Sequence, residues 1–529
     1  MTDKKGADAV EATMIDDLKD SGFDQQKEIL AHQNFRGKSD EEVAALKKAM
    51  LRKVDFRVMP MLIILFLLNI LDRNNFTNAR LGGLEDDLKL SDHQYNTCLM
   101  IMYVGYLLFQ FPSNVILSNF PRPGVYLSVA AVLWGAISTC MAATRNFREA
   151  LVVRFFLGFA EAPFLMDADY EDSPGALLML SSWYQKDELP FRIAILYAGN
   201  TISNCFGGLI AAGVLGGMND AAGIHSWRWL FILEGCFTIF VAIIAGFVLP
   251  SYPKDVNWLT EEEREYAIWR LSVEVAGQDD GEDGSKSIWD GGLQAIKDPK
   301  VYMLILIQFS LNTGMAYTYF FPSIVKTLGY NKIVTLLLTA PPYALAFFGS
   351  LGNSIHAGKT NERAFHVAVP MAISMIGNIL CITITGTGGR YFAMFLMTFG
   401  VYSAFNVTYS WVSATVSTLC ILLDFPDPIA DIRDQIPRPR SKRAAALAMV
   451  NIMGNSTHLF TSYLYPDSDK PRYARAGITL ALFCGLGGVS SIALRYWLRH
   501  ENKKLDRLEG TVGEDAENGR RRKGFRYVL

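Results

Sequence analysis

Charge is what this sequence has least of. Only 19% of its 529 residues are Asp, Glu, Lys or Arg, whereas 50% are hydrophobic. That balance excludes an ordinary soluble protein of two or three domains, whose surface demands more charge. Metal-ligand patterns are missing as well. The seven cysteines (98, 140, 205, 236, 381, 420 and 484) show no CxxC or comparable spacing and mostly fall inside apolar stretches, so they read as core residues. No stretch matches GxxxxGK[ST], and no polar region is large enough for a nucleotidase, so any uphill transport must draw on an ion gradient. The first 50 residues lack the basic start, short apolar core and small-residue cleavage site of a secretory leader. The net charge of −2 carries no message about nucleic acid, since the placement of charges matters here rather than their sum, and no nucleic-acid partner is expected. Enzyme chemistry, a cofactor, a metal site and an obligatory protein partner find no support in these residues.

What the chain has instead is apolar blocks of roughly 18–25 residues, the length a helix needs to cross a bilayer. Twelve of them lie near 57–78, 93–116, 124–143, 147–183 (interrupted), 192–216, 227–250, 301–325, 331–353, 365–386, 390–414, 443–464 and 474–498. The expected fold is therefore all-α, with twelve transmembrane helices in two six-helix bundles embedded in lipid. The polar stretch between Pro250 and Lys300 divides the blocks six and six. The expected organisation is an N-terminal tail (1–50), a first bundle (51–250), a linker (251–300), a second bundle (301–499) and a C-terminal tail (500–529). Within the linker, Thr260 and Glu263 have the spacing of a helix capping box. Basic residues favour the loops after even-numbered blocks (Arg122, Lys186, Arg192, Lys359, Arg363, Arg438, Arg440, Lys442 and Arg443). The positive-inside bias then places both tails in the cytoplasm, and the expected location is the plasma membrane. Two such bundles suggest a transporter whose site lies between them near the midplane.

A few polar groups stand where the bilayer makes them expensive. Asp72 and Arg73 lie beyond the middle of the first block, where an ionisable residue costs about 2.5–3.5 kcal/mol. One reading makes Asp72 a proton acceptor and Arg73 an anion clamp; the other makes them an ion pair at the outer surface. Arg154, Gly158 and Glu161 follow at i, i+4 and i+7 and share a helix face. Arginine binds a carboxylate through two parallel hydrogen bonds, and a glutamate withdrawn from water can load and release a proton. Here too a structural alternative stands, a buried ion pair that holds the bundle together. Gly199, Ser203 and Gly207 let another helix approach closely, while Asn200 beside them is a candidate cavity residue. Asn451, Asn455 and His458 share a face, the asparagines as candidate substrate contacts and His458 more as a structural residue. Tyr317 and Tyr319, beside Gly314, suit either a gate or packing. "TAPPYALA" (339–346) is expected to kink the eighth helix beside Tyr343, a further substrate-site candidate. Glu234 reads as structural.

The motifs "LDRNN" (71–75), "YVGYLLFQFPSN" (103–114), "RFFLGFAEAPF" (154–164), "LSSWYQKDELPFRIAILYAGN" (180–200), "WRWLFILEG" (227–235) and "YLYPDSDKPRYA" (463–474) resemble the fungal allantoate permease group of the anion:cation symporters, within the major facilitator superfamily. The resemblance runs from about Asp55 to about Leu505. It implies proton-driven uptake of a small organic anion, such as nicotinate, pantothenate, allantoate or a related carboxylate. It also implies that Asp72 and Glu161 carry protons and that Arg73 and Arg154 hold the anion. Two readings from other classes are a nutrient sensor with a transporter fold, betrayed by binding without uptake, and a proton-driven exporter.

Two segments depart from the family pattern. "LMDADYEDS" (165–173) inserts four acids where the pattern passes directly to "PGALLMLSSWY", at a cost of about 10 kcal/mol if they stayed charged in hydrocarbon. They are not expected to form a working site or to remain in a spanning helix. "VSTLCILLDFPDPIADIRDQ" (416–435) separates "WVSAT" from "IPRPRSKRAAA" and has the length of a short intron. Val416-Ser417 can be coded GTAAGT, Ala430-Asp431 can contain CTGAC and Gln435 can be CAG, matching a donor, branch point and acceptor in order. We read this segment as retained intron sequence, and 165–173 as a misplaced splice boundary. Transcript reads are expected to skip both segments; reads crossing both places without a gap would sink this reading.

Overall fold

The computed structural model describes residues 38–164, 179–180, 182–185, 188–218, 221–276, 293, 295–419 and 440–512. The acidic segment 165–173 and residues 420–435 of the second insertion lie outside them. Every regular element among the described residues is helical. The main helices are α1 (Asp40–Leu81), α2 (Asp92–Asn119), α3 (Pro123–Met141), α4 (Phe147–Glu161), α5 (Leu189–Gly217), α6 (Ser226–Val248), α7 (Pro299–Met315), α8 (Ala340–Thr360), α9 (Ala364–Thr383), α10 (Thr387–Leu419), α11 (Arg440–Asn455) and α12 (Ala474–Val512). A further helix, Glu261–Ala276, lies between α6 and α7. Seven spans are long and apolar enough to cross a membrane: α1, α3, α6, α9, α10, α12 and α8 with the short helix that leads into it.

Local sequence accounts for the helix ends. Ser39 with Glu42 and Ser91 with Gln94 form capping boxes at the starts of α1 and α2, and the Asn146 side chain accepts from the Glu149 N–H at α4. The box at Thr260 is present too, with the Glu263 N–H donating to Thr260 Oγ1 at 3.3 Å and the Thr260 N–H to Glu263 Oε2 at 2.9 Å. The eighth span, Lys332–Thr360, is interrupted just before the prolines of "TAPPYALA". The chain turns at 338–339 and restarts, with a proline in the first turn of α8, where the missing N–H leaves no bond unmade. The fourth apolar block likewise ends its helix at Glu161 and turns at 162–164.

The packing order of the first six helices recurs in the second six. Helix α1 packs on α5 and α6, α3 on α4 and α6, and α2 on α4; α7 packs on α11 and α12, α9 on α10 and α12, and α8 on α10. Between the halves, α5 meets α8 and α2 meets the chain just beyond α11, a pair of contacts that the same shift of six interchanges. This is the signature of two structural repeats facing each other. Within the first repeat, α2 and α4 cross with their backbones nearly touching. A Cβ on Gly158 would fall 1.8 Å from the Met102 carbonyl oxygen, and one on Gly105 would fall 2.2 Å from that of Phe155. Packing here leaves no room for a methyl group, and overpacking of this kind costs about 1–3 kcal/mol. Gly158→Ala is expected to lower the melting temperature of the detergent-solubilised protein. Gly213→Ala in α5, which would meet nothing within 4 Å, is expected to leave it unchanged or raise it; equal melting temperatures for the two variants would refute the tight crossing.

Candidate functional site

Two helices lose their regular course at the same depth. Helix α7 passes into a 3-10 segment, Ala316–Phe320, and α11 stops at Asn455 before a short helix restarts at His458. Between the halves at this depth lies a cavity of about 120 Å³. Helix α1 contributes Phe66, Ile70, Arg73 and Asn74, α2 contributes Tyr103 and Tyr106, and α5 contributes Tyr197, Asn200 and Asn204. Facing them are Asn312 and Met315 of α7, Thr318 and Tyr319 of the 3-10 segment, Tyr402, Phe405 and Tyr409 of α10, and Asn455 with His458.

Arg73 is the one lysine or arginine in this lining, and no carboxylate of the described residues shares it. Its Nε donates to Glu161 Oε2 at 2.6 Å, and Glu161 is wholly buried behind it. The guanidinium also sits over the rings of Tyr106 and Tyr103, at 5.2 and 5.7 Å from their centroids. Its Nη2 is buried with no hydrogen-bond acceptor, and Glu161 Oε1 is buried with no donor. An arginine whose fork is only partly used keeps donors for a second, planar anion.

The neighbouring residue points the other way. Asp72 is fully buried between α1, α3 and α6 and accepts from Ser138 Oγ at 2.9 Å, Trp134 Nε1 at 3.1 Å and Thr238 Oγ1 at 3.2 Å. These three neutral donors fix the rotation of α1 and so aim Arg73 at the cavity. Asp72 therefore neither lines the cavity nor lies at a surface. Arg154 also stands outside the lining: its Nε donates to the Cys98 carbonyl at 3.3 Å and its guanidinium lies 4.7 Å from the Phe76 ring centroid. The structure thus places Glu161 at hydrogen-bond distance from Arg73 of α1, from another helix, while Arg154 of its own helix bonds the Cys98 carbonyl.

The remaining candidates divide. Asn200 and Asn455 line the cavity; Asn451, one turn earlier, is buried with its Nδ2 unpaired and does not. Tyr317 is buried against Phe321, and Tyr343 packs edge-on behind Tyr402, so both lie outside the lining. His458 does line it. Sequence reading passed over Asn74, Tyr103, Tyr106, Tyr197, Asn204, Tyr402 and Tyr409. The i, i+3 spacing of Tyr103 and Tyr106 and the i, i+4 spacing of Asn200 and Asn204 were the available signals. The amides form matched bridges in the two repeats: Asn74 Nδ2 donates to Asn204 Oδ1 at 2.9 Å between α1 and α5, and Asn312 Nδ2 to Asn455 Oδ1 at 3.4 Å between α7 and α11. Glu234 accepts from Asn75 Nδ2 at 2.6 Å within the first half.

From the cavity toward the α1–α2 loop the halves close like a seam. The His458 ring stacks on Tyr103 at 4.3 Å, the Tyr103 and Tyr319 hydroxyls touch, and Thr97 Oγ1 lies 3.1 Å from the Tyr463 hydroxyl. At its end Arg80 Nη2 pairs with Asp467 Oδ1 at 3.0 Å and Asp92 Oδ1 at 3.3 Å, while the Asp467 N–H donates to Asp92 Oδ2 at 3.1 Å. Partial burial works to raise the pKa of Asp467, but the bond from Lys470 and the charge of Arg80 outweigh it and hold the carboxyl below its ordinary value.

A family model described as the Major Facilitator Superfamily matches residues 62–455. The chain belongs to the major facilitator superfamily. It is similar to the MFS-type transporter cnsO of Penicillium expansum, with 31% identity over 100% of this chain and 97% of that one. It is also similar to the high-affinity nicotinic acid transporter of Saccharomyces cerevisiae, with 25% identity over 89% and 82%. The proton:xylose symporter XylE shares the fold, with a TM-score of 0.58, 16% identity and coverage of 84% and 95%. The chain is thus an integral membrane transporter of the major facilitator superfamily with its all-helical fold.

In this superfamily member the Arg80–Asp467 pair is expected to resist mild acid, whereas Glu85, which pairs with Arg80 at 2.9 Å, is held above its ordinary value by burial and loses its charge first. A carboxylate held below its unfolded value stabilises the closed form above that value, about 3.9 for aspartate, and loses its contribution only as pH falls through the lowered one. Asp467→Asn is expected to speed labelling of a cysteine placed at Met315 by a thiol reagent added from the α1–α2 loop side. Unchanged labelling would show that the seam closes without the latch.

Proposed function

We propose that this chain takes up a small organic anion together with protons, as a member of the allantoate permease group. The observation that carries this reading is the buried Arg73–Glu161 pair at the cavity wall. In the resting site Glu161 is the anion that balances Arg73. When Glu161 takes a proton, it no longer competes, and a substrate carboxylate can occupy the arginine fork while the tyrosine rings and asparagine amides hold the remainder of the molecule. Loss of the proton restores the internal pair and ejects the anion. Proton and substrate are then coupled because each relieves the charge that the other would leave uncompensated in a low-dielectric site.

In this scheme Asp72 is a second proton-carrying group that acts through α1, and Arg154 supports the α2–α4 crossing that presents Glu161. Tyr317, Tyr343 and Asn451 shape the site from behind its lining. The two halves, 51–250 and 301–499, rock about the cavity, with both tails in the cytoplasm and the protein in the plasma membrane. The seam at Arg80 then closes the external side. The relative that transports nicotinic acid, a planar monocarboxylate, supports this substrate class.

Uptake of labelled carboxylates, including nicotinate and pantothenate, into cells expressing the chain tests the reading. Acid outside is expected to stimulate accumulation of at least one compound. Arg73→Gln is expected to reduce that uptake roughly 10- to 100-fold, since hydrogen bonds to a charged group are worth about 1.5–3 kcal/mol. Glu161→Gln, which mimics the protonated acid, is expected to keep substrate exchange while losing acid stimulation. A Glu161→Gln variant with undiminished acid stimulation would sink the coupling scheme.

A further inference from the structure

The first helix carries a second ordered feature, at the opposite end from the Arg80 latch. About four turns of α1 precede its apolar run, and their inward face (Val43, Met50 and Val54) is buried. Lys48, Arg52, Phe56, Pro60 and Ile64 are all exposed and recur every four residues, a line that winds about 40° around the helix at each step and passes from basic through aromatic to aliphatic. Phe56 is 75% exposed, and the Arg52 guanidinium sits 6.0 Å from its ring centroid.

The charges of this segment are sorted. Lys38 pairs with Glu262 at 2.9 Å, Lys47 with Glu188 at 2.9 Å and Lys53 with Glu263 at 2.7 Å. The segment's Asp55 is taken by Arg192 Nε at 2.7 Å and by the Tyr184 hydroxyl at 2.7 Å. Glu42 closes the helix cap. Lys48, Arg52 and Arg57 make no ion pair among the described residues; Arg57 is drawn to the Trp258 ring at 5.2 Å, which leaves Lys48 and Arg52 on the line with Phe56. At about 1.5 Å per residue, Arg52 lies roughly 6 Å and Lys48 roughly 12 Å along the axis from Phe56. A headgroup layer is about 5–8 Å deep on each side of the hydrocarbon. With Phe56 at the hydrocarbon boundary, Arg52 reaches phosphate depth and Lys48 the surface above it.

We propose that the Lys48–Arg52–Phe56 stripe is a binding surface for anionic phospholipid headgroups of the leaflet facing the N-terminal segment. Charge complementarity supplies the attraction, and the continuity of the stripe with the lipid-facing Pro60 and Ile64 selects lipid over a soluble acidic partner. The chain's own acidic residues within 1–37 are the competing occupant, and the test separates the two.

The full chain is placed in nanodiscs of phosphatidylcholine alone and in nanodiscs of equal phosphatidylcholine and phosphatidylserine, and its melting temperature is measured in each. The mixed discs are expected to raise it by a few degrees, because a ligand bound to the folded form stabilises it, and added salt is expected to shrink the rise. Lys48→Gln with Arg52→Gln is expected to abolish most of the rise, and Arg52→Lys to preserve it. A rise of full size in the double variant would overturn the proposal. So would a rise that appears only after residues 1–37 are removed, which would assign the stripe to the chain's own tail. Should the double variant be too unstable to purify, Arg52→Gln alone provides the same comparison, with an undiminished rise again decisive against the stripe.

Discussion

One buried ion pair constrains most of what surrounds it. Taking Arg73 and Glu161 out of water costs several kcal/mol per ion, and a pair at that depth persists only where geometry and neighbouring groups compensate. The compensation is visible on both sides. Asp72, held by three neutral donors, fixes the rotation of α1, and the aromatic faces of Tyr103 and Tyr106 receive the guanidinium. On the Glu161 side, the close crossing of α2 and α4 at Gly105 and Gly158 sets the distance at which the carboxylate meets the arginine. A bulkier crossing would move Glu161 away, and Arg73 would face the cavity without its balancing charge.

The rest of the cavity is built from weaker parts. Amide bridges at α1–α5 and α7–α11 repeat across the halves, and the walls between them are aromatic. The amide bridges lie within each half; the contacts that cross the cavity, such as Asn204 Nδ2 donating to the Tyr402 hydroxyl at 3.2 Å, are neutral bonds and ring contacts worth about 1 kcal/mol each, so none of them alone holds the halves in one arrangement. Beyond the packing of α5 on α8, the ion pair among the described residues that joins the halves lies elsewhere, between Arg80 and Asp467 at the end of the seam. This division suits a protein whose site must be taken apart and rebuilt in each cycle while its ends alternate between open and closed.

The opposite end of α1 shows a different economy of charge. Lys38, Lys47 and Lys53 are matched to carboxylates of the linker helix and of the segment before α5, which ties the extension of α1 to the first half. Of the cations without an ion pair among the described residues, Lys48 and Arg52 lie on the line that continues into the lipid-exposed residues, while Arg57 is held over the Trp258 ring. The helix that carries the arginine of the cavity is thereby fixed by ion pairs inside the protein and is free to meet the bilayer outside it.

The sequence by itself determined the membrane class, the helices and the small set of residues worth explaining. Long apolar blocks can be satisfied in lipid only as helices or closed barrels, and charges inside such blocks are too costly to be incidental, so Asp72, Arg73, Arg154 and Glu161 stood out without any structure. Helix ends were legible as well, because capping is local chemistry of three or four residues, as at Thr260. Which of the four charges would meet was decided only by the tertiary structure. Adjacent residues on a helix point about 100° apart, so Asp72 and Arg73 were bound to face different neighbours, and only the packing of α3 and α6 on one side and α4 on the other says which. Arg154 and Glu161 share a face, yet that face meets α1 and α2 at different depths and the two part company. The tyrosines of the cavity were illegible for the same reason: an aromatic side chain in an apolar helix looks the same whether it packs against lipid, a neighbouring helix or an empty space between two halves.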